Sequence, residues 1–118
     1  MNQVIYGKVP SKSNTYKIVT IGGHSSLAKT PKLKEYENSF YLQCNGYRNK
    51  GIKGLFELTV NVFNESQRPD LDNAFKVILD SLQHYGAITN DRNCIKITAQ
   101  KFVDKKNPRI EFNLIEIK

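Results

Sequence analysis

The chain has 118 residues, 39% hydrophobic and 25% charged, which suffices for one core and one domain and excludes a second. Eighteen Lys and Arg against eleven Asp and Glu leave a net charge of +7, the signature of a protein that meets a polyanion, either nucleic acid or an acidic membrane surface. No apolar run has the length of a membrane span, and the N-terminus Met1-Asn2-Gln3-Val4-Ile5-Tyr6-Gly7 has neither the basic nor the apolar region of a secretory leader, so insertion and export are not expected.

Val4 to Val9 reads as a first strand, and Pro10-Ser11-Lys12-Ser13-Asn14 breaks it with loop chemistry. Tyr16 to Ile21 forms a short second strand before a Gly22-Gly23-His24-Ser25-Ser26 turn. Thr30-Pro31 opens a helix, with a hydroxyl to cap it and a proline whose missing N–H costs nothing there. Leu33, Tyr36, Phe40, Tyr41, Cys44 and Tyr47 recur at three- and four-residue intervals and carry that helix to about Arg48. After the glycine-broken link from Asn49 to Gly54, Phe56, Leu58, Val60 and Val62 alternate with Glu57, Thr59 and Asn61, the period of a strand with one buried face. A second helix puts Leu71, Phe75, Ile78, Leu79 and Leu82 on its core side, and Asp72, Lys76 and Asp80, four apart, on another. Ile95, Ile97 and Ala99 begin a strand, Asp104 to Pro108 is a turn, and Ile110, Phe112 and Leu114 mark the last strand. The series predicts an α/β single domain over residues 1–118, a mixed β-sheet packed by two main helices in β-α-β-α-β-β order, ending in an antiparallel hairpin.

The acids around the second helix carry the chemistry. Asp70 and Asp72 stand just before and within its first turn, able to aim at nearly the same point. Asp91 follows nineteen residues after Asp72 and returns to it if the next strand lies beside the preceding one. Such carboxylates repel one another unless a cation neutralises them, and magnesium takes oxygen ligands, with water and substrate phosphate filling its other positions. Lys76 then neutralises phosphate charge or orients a carboxylate, and the set suits metal-assisted phosphoryl chemistry. The plainer alternatives are that the aspartates cap the helix and favour its dipole, and that Asp72 and Lys76 form an exposed ion pair. Asn73 either supports a ligand carboxylate or completes a polar cluster. Asp80 is read as structural or solvent-facing, since it lies beyond Lys76 and would need to reach back along the helix.

The segment Pro69-Asp70-Leu71-Asp72-Asn73, with Lys76, Asp80-Ser81-Leu82, Gly86 and Asn90-Asp91, resembles the RusA family of Holliday-junction resolvases, phage-associated endodeoxyribonucleases. Pro10-Ser11 with Asn14 is similar to that family's N-terminal loop, so the resemblance spans nearly the whole chain. It implies that Asp70, Asp72 and Asp91 hold Mg2+, with Mn2+ as a substitute, and that Lys76 is a catalytic auxiliary. It also implies a homodimer offering two active sites to four-way junction DNA in recombination and repair, encoded by a bacterium or a prophage. One departure stands out. Many members have two adjacent acids where this chain has Asn90-Asp91, so a non-catalytic junction-binding protein is the competing expectation. A small metal-dependent phosphatase would not need so much positive charge.

Three cationic groups support phosphate binding: Lys12, Lys17, Lys29, Lys32 and Lys34; Arg48, Lys50 and Lys53; and Lys101, Lys105, Lys106 and Arg109. Ser11, Ser13 and Asn14 either donate to phosphate or bond their own turn. His24 and His84 have no partners at metal-ligand spacing, and His84 fits a helix C-terminus. The helical spacing of Tyr36, Phe40, Tyr41 and Tyr47 favours core or dimer contact over base stacking. Cys44 and Cys94 form no Cys-x-x-Cys pair and are expected as free thiols in the reducing cytoplasm.

Overall fold

The computed structural model describes residues 3–117; Met1 and Asn2, part of the stretch read for a leader, and the side chain of Lys12 lie outside the described residues. The elements in order are β1 (Gln3–Tyr6), β2 (Tyr16–Ile21), β3 (His24–Lys29), α1 (Pro31–Gln43), β4 (Phe56–Asn64), α2 (Asn73–His84), β5 (Cys94–Val103) and β6 (Arg109–Glu116). Short 3₁₀ turns at Lys12–Asn14 and Asp91–Asn93 precede β2 and β5.

The expected mixed sheet with two helices is what the chain forms. β1, β6, β4 and β5 make one sheet in that order, and β2 pairs with β3 in a separate two-stranded ribbon. β4 is the organising strand because its alternation buries every second side chain, from Phe56 through Leu58, Val60 and Val62. Ile110, Phe112 and Leu114 of β6 extend that buried face, and residues of both helices join the same core cluster. Phe112 stacks between Phe40 of α1 and Tyr47, with ring centroids 5.8 Å apart in each pair.

Thr30 caps α1 as the sequence predicts, its hydroxyl accepting from Leu33 N at 3.2 Å with Pro31 in the first turn. The helix ends at Gln43 rather than Arg48, because Asn45-Gly46 follow and Gln3 accepts a hydrogen bond from Gly46 N at 2.7 Å. A Cβ at Gly46 would stand 2.9 Å from that Gln3 oxygen. Gln43 in turn bonds both the N–H and the carbonyl of Tyr6, which blunts the edge of β1. β1 itself stops at Tyr6 rather than Val9, where Gly7 takes a positive φ of 117°. On α2 the buried residues are Ala74, Val77, Ile78, Ser81 and Leu82, and Leu71, Phe75 and Leu79 pack partly buried against the same core.

Two further sequence expectations give way. The polar stretch after Gly22-Gly23 is a strand, β3, in register with β2 from Ile21↔His24 to Tyr16↔Lys29. The last two strands are not a hairpin. β5 lies parallel to β4 on one side, while β6 runs antiparallel to β4 on the other. A parallel pair needs a long crossover, which α2 supplies, and that places β5 before β6 inserts on the other side of β4, between it and β1. The Asp104 carboxylate accepts from the N–H groups of Lys106 and Asn107 at 3.2 and 3.1 Å, curling the chain that passes from one flank of β4 to the other.

Candidate active site

The β4–α2–β5 crossover carries the acids. Asp70 and Asp72 sit in the loop between β4 and α2, and Asp91 opens the 3₁₀ turn just before β5. β5 does run beside β4, but in parallel register with Cys94 next to Phe56, so Asp91 enters at the end of β4 opposite to the one that leads into the Asp70 and Asp72 loop, and its N–H donates to Gln83 Oε1 near the end of α2 at 2.7 Å. The loop is fixed from below by Lys101 of β5, whose Nζ donates to the carbonyls of Gln67 and Pro69 at 3.1 and 3.2 Å.

Asp72 occupies the N-cap position of α2 but its φ and ψ of −67° and −17° are helical, and its side chain makes no cap bond. Among the described residues neither the Asp70 nor the Asp72 carboxylate has a hydrogen-bond or ion-pair partner. The capping alternative therefore does not explain them. Both line a hollow of about 400 Å³ together with Ser11, Ser13, Arg68 and Asn73. The N-terminal loop is tied there by Asn73, whose Nδ2 donates to the Pro10 carbonyl at 3.2 Å. Asn73 Oδ1 is buried without a hydrogen-bond partner. An orphaned buried acceptor is costly, and next to it in sequence the two unpartnered carboxylates are hard oxygen donors of the kind magnesium takes. The residues present thus fit a divalent cation. Asp91 is not drawn into the set, since among the described residues no three His, Cys, Asp or Glu side chains stand together at metal-holding distance.

Lys76 follows one turn after Asp72, and its ion pair is with Asp80, Nζ to Oδ2 at 3.1 Å, rather than with Asp72. The hydrogen bond to Asp80 and its negative charge push the Lys76 pKa up, with Tyr16 and Asp91 adding to the effect, so the ammonium stays charged. Asp80, read as structural, does reach back along the helix, and it accepts a second hydrogen bond from Tyr16 Oη at 3.2 Å. Sequence reasoning placed Tyr16 on a strand and gave it no part near the acids; a contact 64 residues distant in sequence leaves no local signal.

Ser11 also lines a second hollow, of about 380 Å³, bounded by Tyr6, Lys8, Lys32, Glu35 and Tyr36. Ser11 and Ser13 hydroxyls lie 3.3 Å apart, and the Ser11 carbonyl accepts from Asn14 N, so the turn bonds itself while facing the acids. Several cations of the basic groups are committed internally. Lys29 is paired with both oxygens of the buried Glu37 at 3.0 Å, Lys101 holds the loop, and Arg109 is clamped by Asp104 and Glu111. His84 sits in the last turn of α2, and Tyr36, Phe40 and Tyr47 are packed in or against the core. Burial pushes up the thiol pKa of the free cysteines Cys44 and Cys94, which makes them poor nucleophiles.

Residues 8–115 match the family model described as endodeoxyribonuclease RusA. The chain belongs to this family. No curated protein matches it. RusA nucleases act on junction DNA, and the matched span contains every element except β1 and the end of β6, including the whole crossover with its acids. Among the described residues no helix is long and apolar enough to cross a membrane.

Proposed function

We propose that the protein resolves four-way DNA junctions by hydrolysing a phosphodiester bond in each of two opposed strands, with Mg2+ as cofactor and Mn2+ able to replace it. The observation that carries this reading is the pair of unpartnered carboxylates, Asp70 and Asp72, lining one hollow on a RusA-family chain of net charge +7. Asp70 and Asp72 would hold the ion, with Asp91 as the third ligand on the strength of the family resemblance alone, since it stands outside their set here. When bound, the ion would lower the pKa of a water nucleophile and stabilise charge on the attacked phosphate. Lys76 presents a permanent positive charge to the phosphate oxygens one turn beyond Asp72. Ser11 and Ser13 line the same hollow as the acids and would donate to the DNA backbone, and unpaired surface lysines add a salt-sensitive attraction that reads no sequence. Paired incision needs two sites at a fixed separation, which a symmetric homodimer provides with one interface. Such an enzyme works in the cytoplasm, where junctions form.

Incubation with a synthetic mobile junction and with linear duplex, under Mg2+ or Mn2+, tests the reading: the junction is cut and the duplex is spared. Asp70→Asn, Asp72→Asn and Asp91→Asn each keep the side-chain shape and remove a ligand charge, so cleavage falls by about a hundredfold or more while junction binding persists. Normal cutting by Asp91→Asn would remove it from the ligand set. The competing reading, junction binding without incision, draws on the lack of a three-acid cluster among the described residues, and it gains if the wild-type chain binds junctions and leaves them intact.

A further inference from the structure

Asp80 Oδ2 receives two donors from different elements: Lys76 Nζ from its own helix at 3.1 Å and Tyr16 Oη from β2 at 3.2 Å. The Lys76 ammonium also stands 5.9 Å from the centre of the Tyr16 ring. An exposed ion pair one turn apart on a helix contributes little to stability, and the Lys76 side chain is 71% exposed. Stability alone therefore gives little reason for a third residue, 64 positions away, to hold the acid of that pair. Position does give one. A lysine ammonium rides on four rotatable carbons and wanders unless tethered, whereas the Asp80 side chain is only 27% exposed and is fixed on its far side by the tyrosine. One tether leaves two of the three ammonium N–H groups for a phosphate.

We propose that Asp80 and Tyr16 are positioning residues, which hold the Lys76 ammonium in one place on the face of α2 that begins at Asp72, Asp80 by direct contact and Tyr16 by fixing Asp80. This rests on the role given to Lys76 above. Its signature is non-additivity: residues that act only through Lys76 lose their effect once Lys76 is gone.

The test is a double-mutant cycle in single-turnover cleavage of a synthetic junction, with binding and thermal unfolding measured alongside. Asp80→Asn lowers the cleavage rate about tenfold and Tyr16→Phe about threefold, with junction affinity unchanged, as expected for a displaced but intact ammonium. In a Lys76→Met background neither substitution slows cleavage further. Equal losses with and without Lys76 would overturn the proposal, as would wild-type rates for both single variants when Lys76→Met is impaired. Wild-type cutting by Lys76→Met would instead sink the role of Lys76 and this proposal with it. A substrate-free measurement separates the two: NMR order parameters of the Lys76 side-chain methylenes should fall in Tyr16→Phe, which removes only a hydroxyl. Unchanged order there would refute the tether even if Lys76 proves essential.

Discussion

Lys76 and Arg109 each pair with carboxylates, but the Lys76 side chain is 71% exposed and meets one acid, whereas the Arg109 side chain is 19% exposed and meets two. Arg109 donates to Glu111 at 2.8 Å, to Asp104 at 2.9 Å and to the Asn107 carbonyl at 3.0 Å, with its guanidinium 3.8 Å from the centre of the Phe63 ring. Most of its donors are spent inside the molecule, and the turn between β5 and β6 is built around it. Lys76 spends one. The difference teaches that a charge count cannot rank cations for DNA binding; what matters is how many N–H groups remain uncommitted and whether they lie beside the acids.

The comparison breaks most readily at Lys76. Lys76→Met should reduce junction cleavage by about a hundredfold with little change in melting temperature, since it removes an exposed charge near the reacting phosphate. Arg109→Met should do the reverse. It strands Asp104 and Glu111 and loosens the turn, so the melting temperature falls by several degrees while cleavage per folded molecule is retained. A melting temperature equal to wild type would show that the clamp is ornamental. The smallest effect concerns acid. Hydrogen bonds from Arg109 and from the turn N–H groups hold the Asp104 carboxyl below its ordinary value of 3.8. A depressed folded-state pKa contributes stability above the unfolded value and loses it as pH falls through the folded one, so the Asp104 share begins to shrink near pH 3.8 and is gone only below the lower, folded value. Asp104→Asn should therefore narrow its stability gap to wild type as unfolding is measured from pH 6 downward, and a gap constant with pH would remove Asp104 from the clamp.

Much of this molecule is legible in its residues where a feature is local. The stripe on α2, the alternation of β4 and the Thr30-Pro31 opening of α1 each follow from neighbours in sequence, and each is found. Asp70 and Asp72 stand out for the same reason, as acids at a helix start that the cap does not use. What fails is non-local. β3 shows no alternation because its side chains are largely exposed, so nothing in Ser25, Ser26 and Leu27 marks a strand until β2 pairs with it. β5 is an edge strand with mostly exposed residues, and its own pattern cannot say whether it pairs with β4 or β6. The bond from Tyr16 to Asp80 and the grip of Lys101 on the Asp70 loop depend on the finished fold in the same way.

The strand order also sets how the chain must assemble in time. β1 meets β6 across a hundred residues, Gln3 against Phe112 and Tyr6 against Arg109, and β4 meets β5 only after the whole crossover is laid down. Pairings of such sequence separation are slow to find, because loop-closure entropy is lost before any contact is gained, and domains dominated by them fold on the order of milliseconds to seconds. Helix α2, made of local contacts, forms early and carries Lys76 and Asp80 with it. Asp91 is tied locally to the end of α2, its N–H donating to Gln83 Oε1, but the loop that carries Asp70 is gripped by Lys101 only once β5 has docked, so that loop takes its final place late in folding.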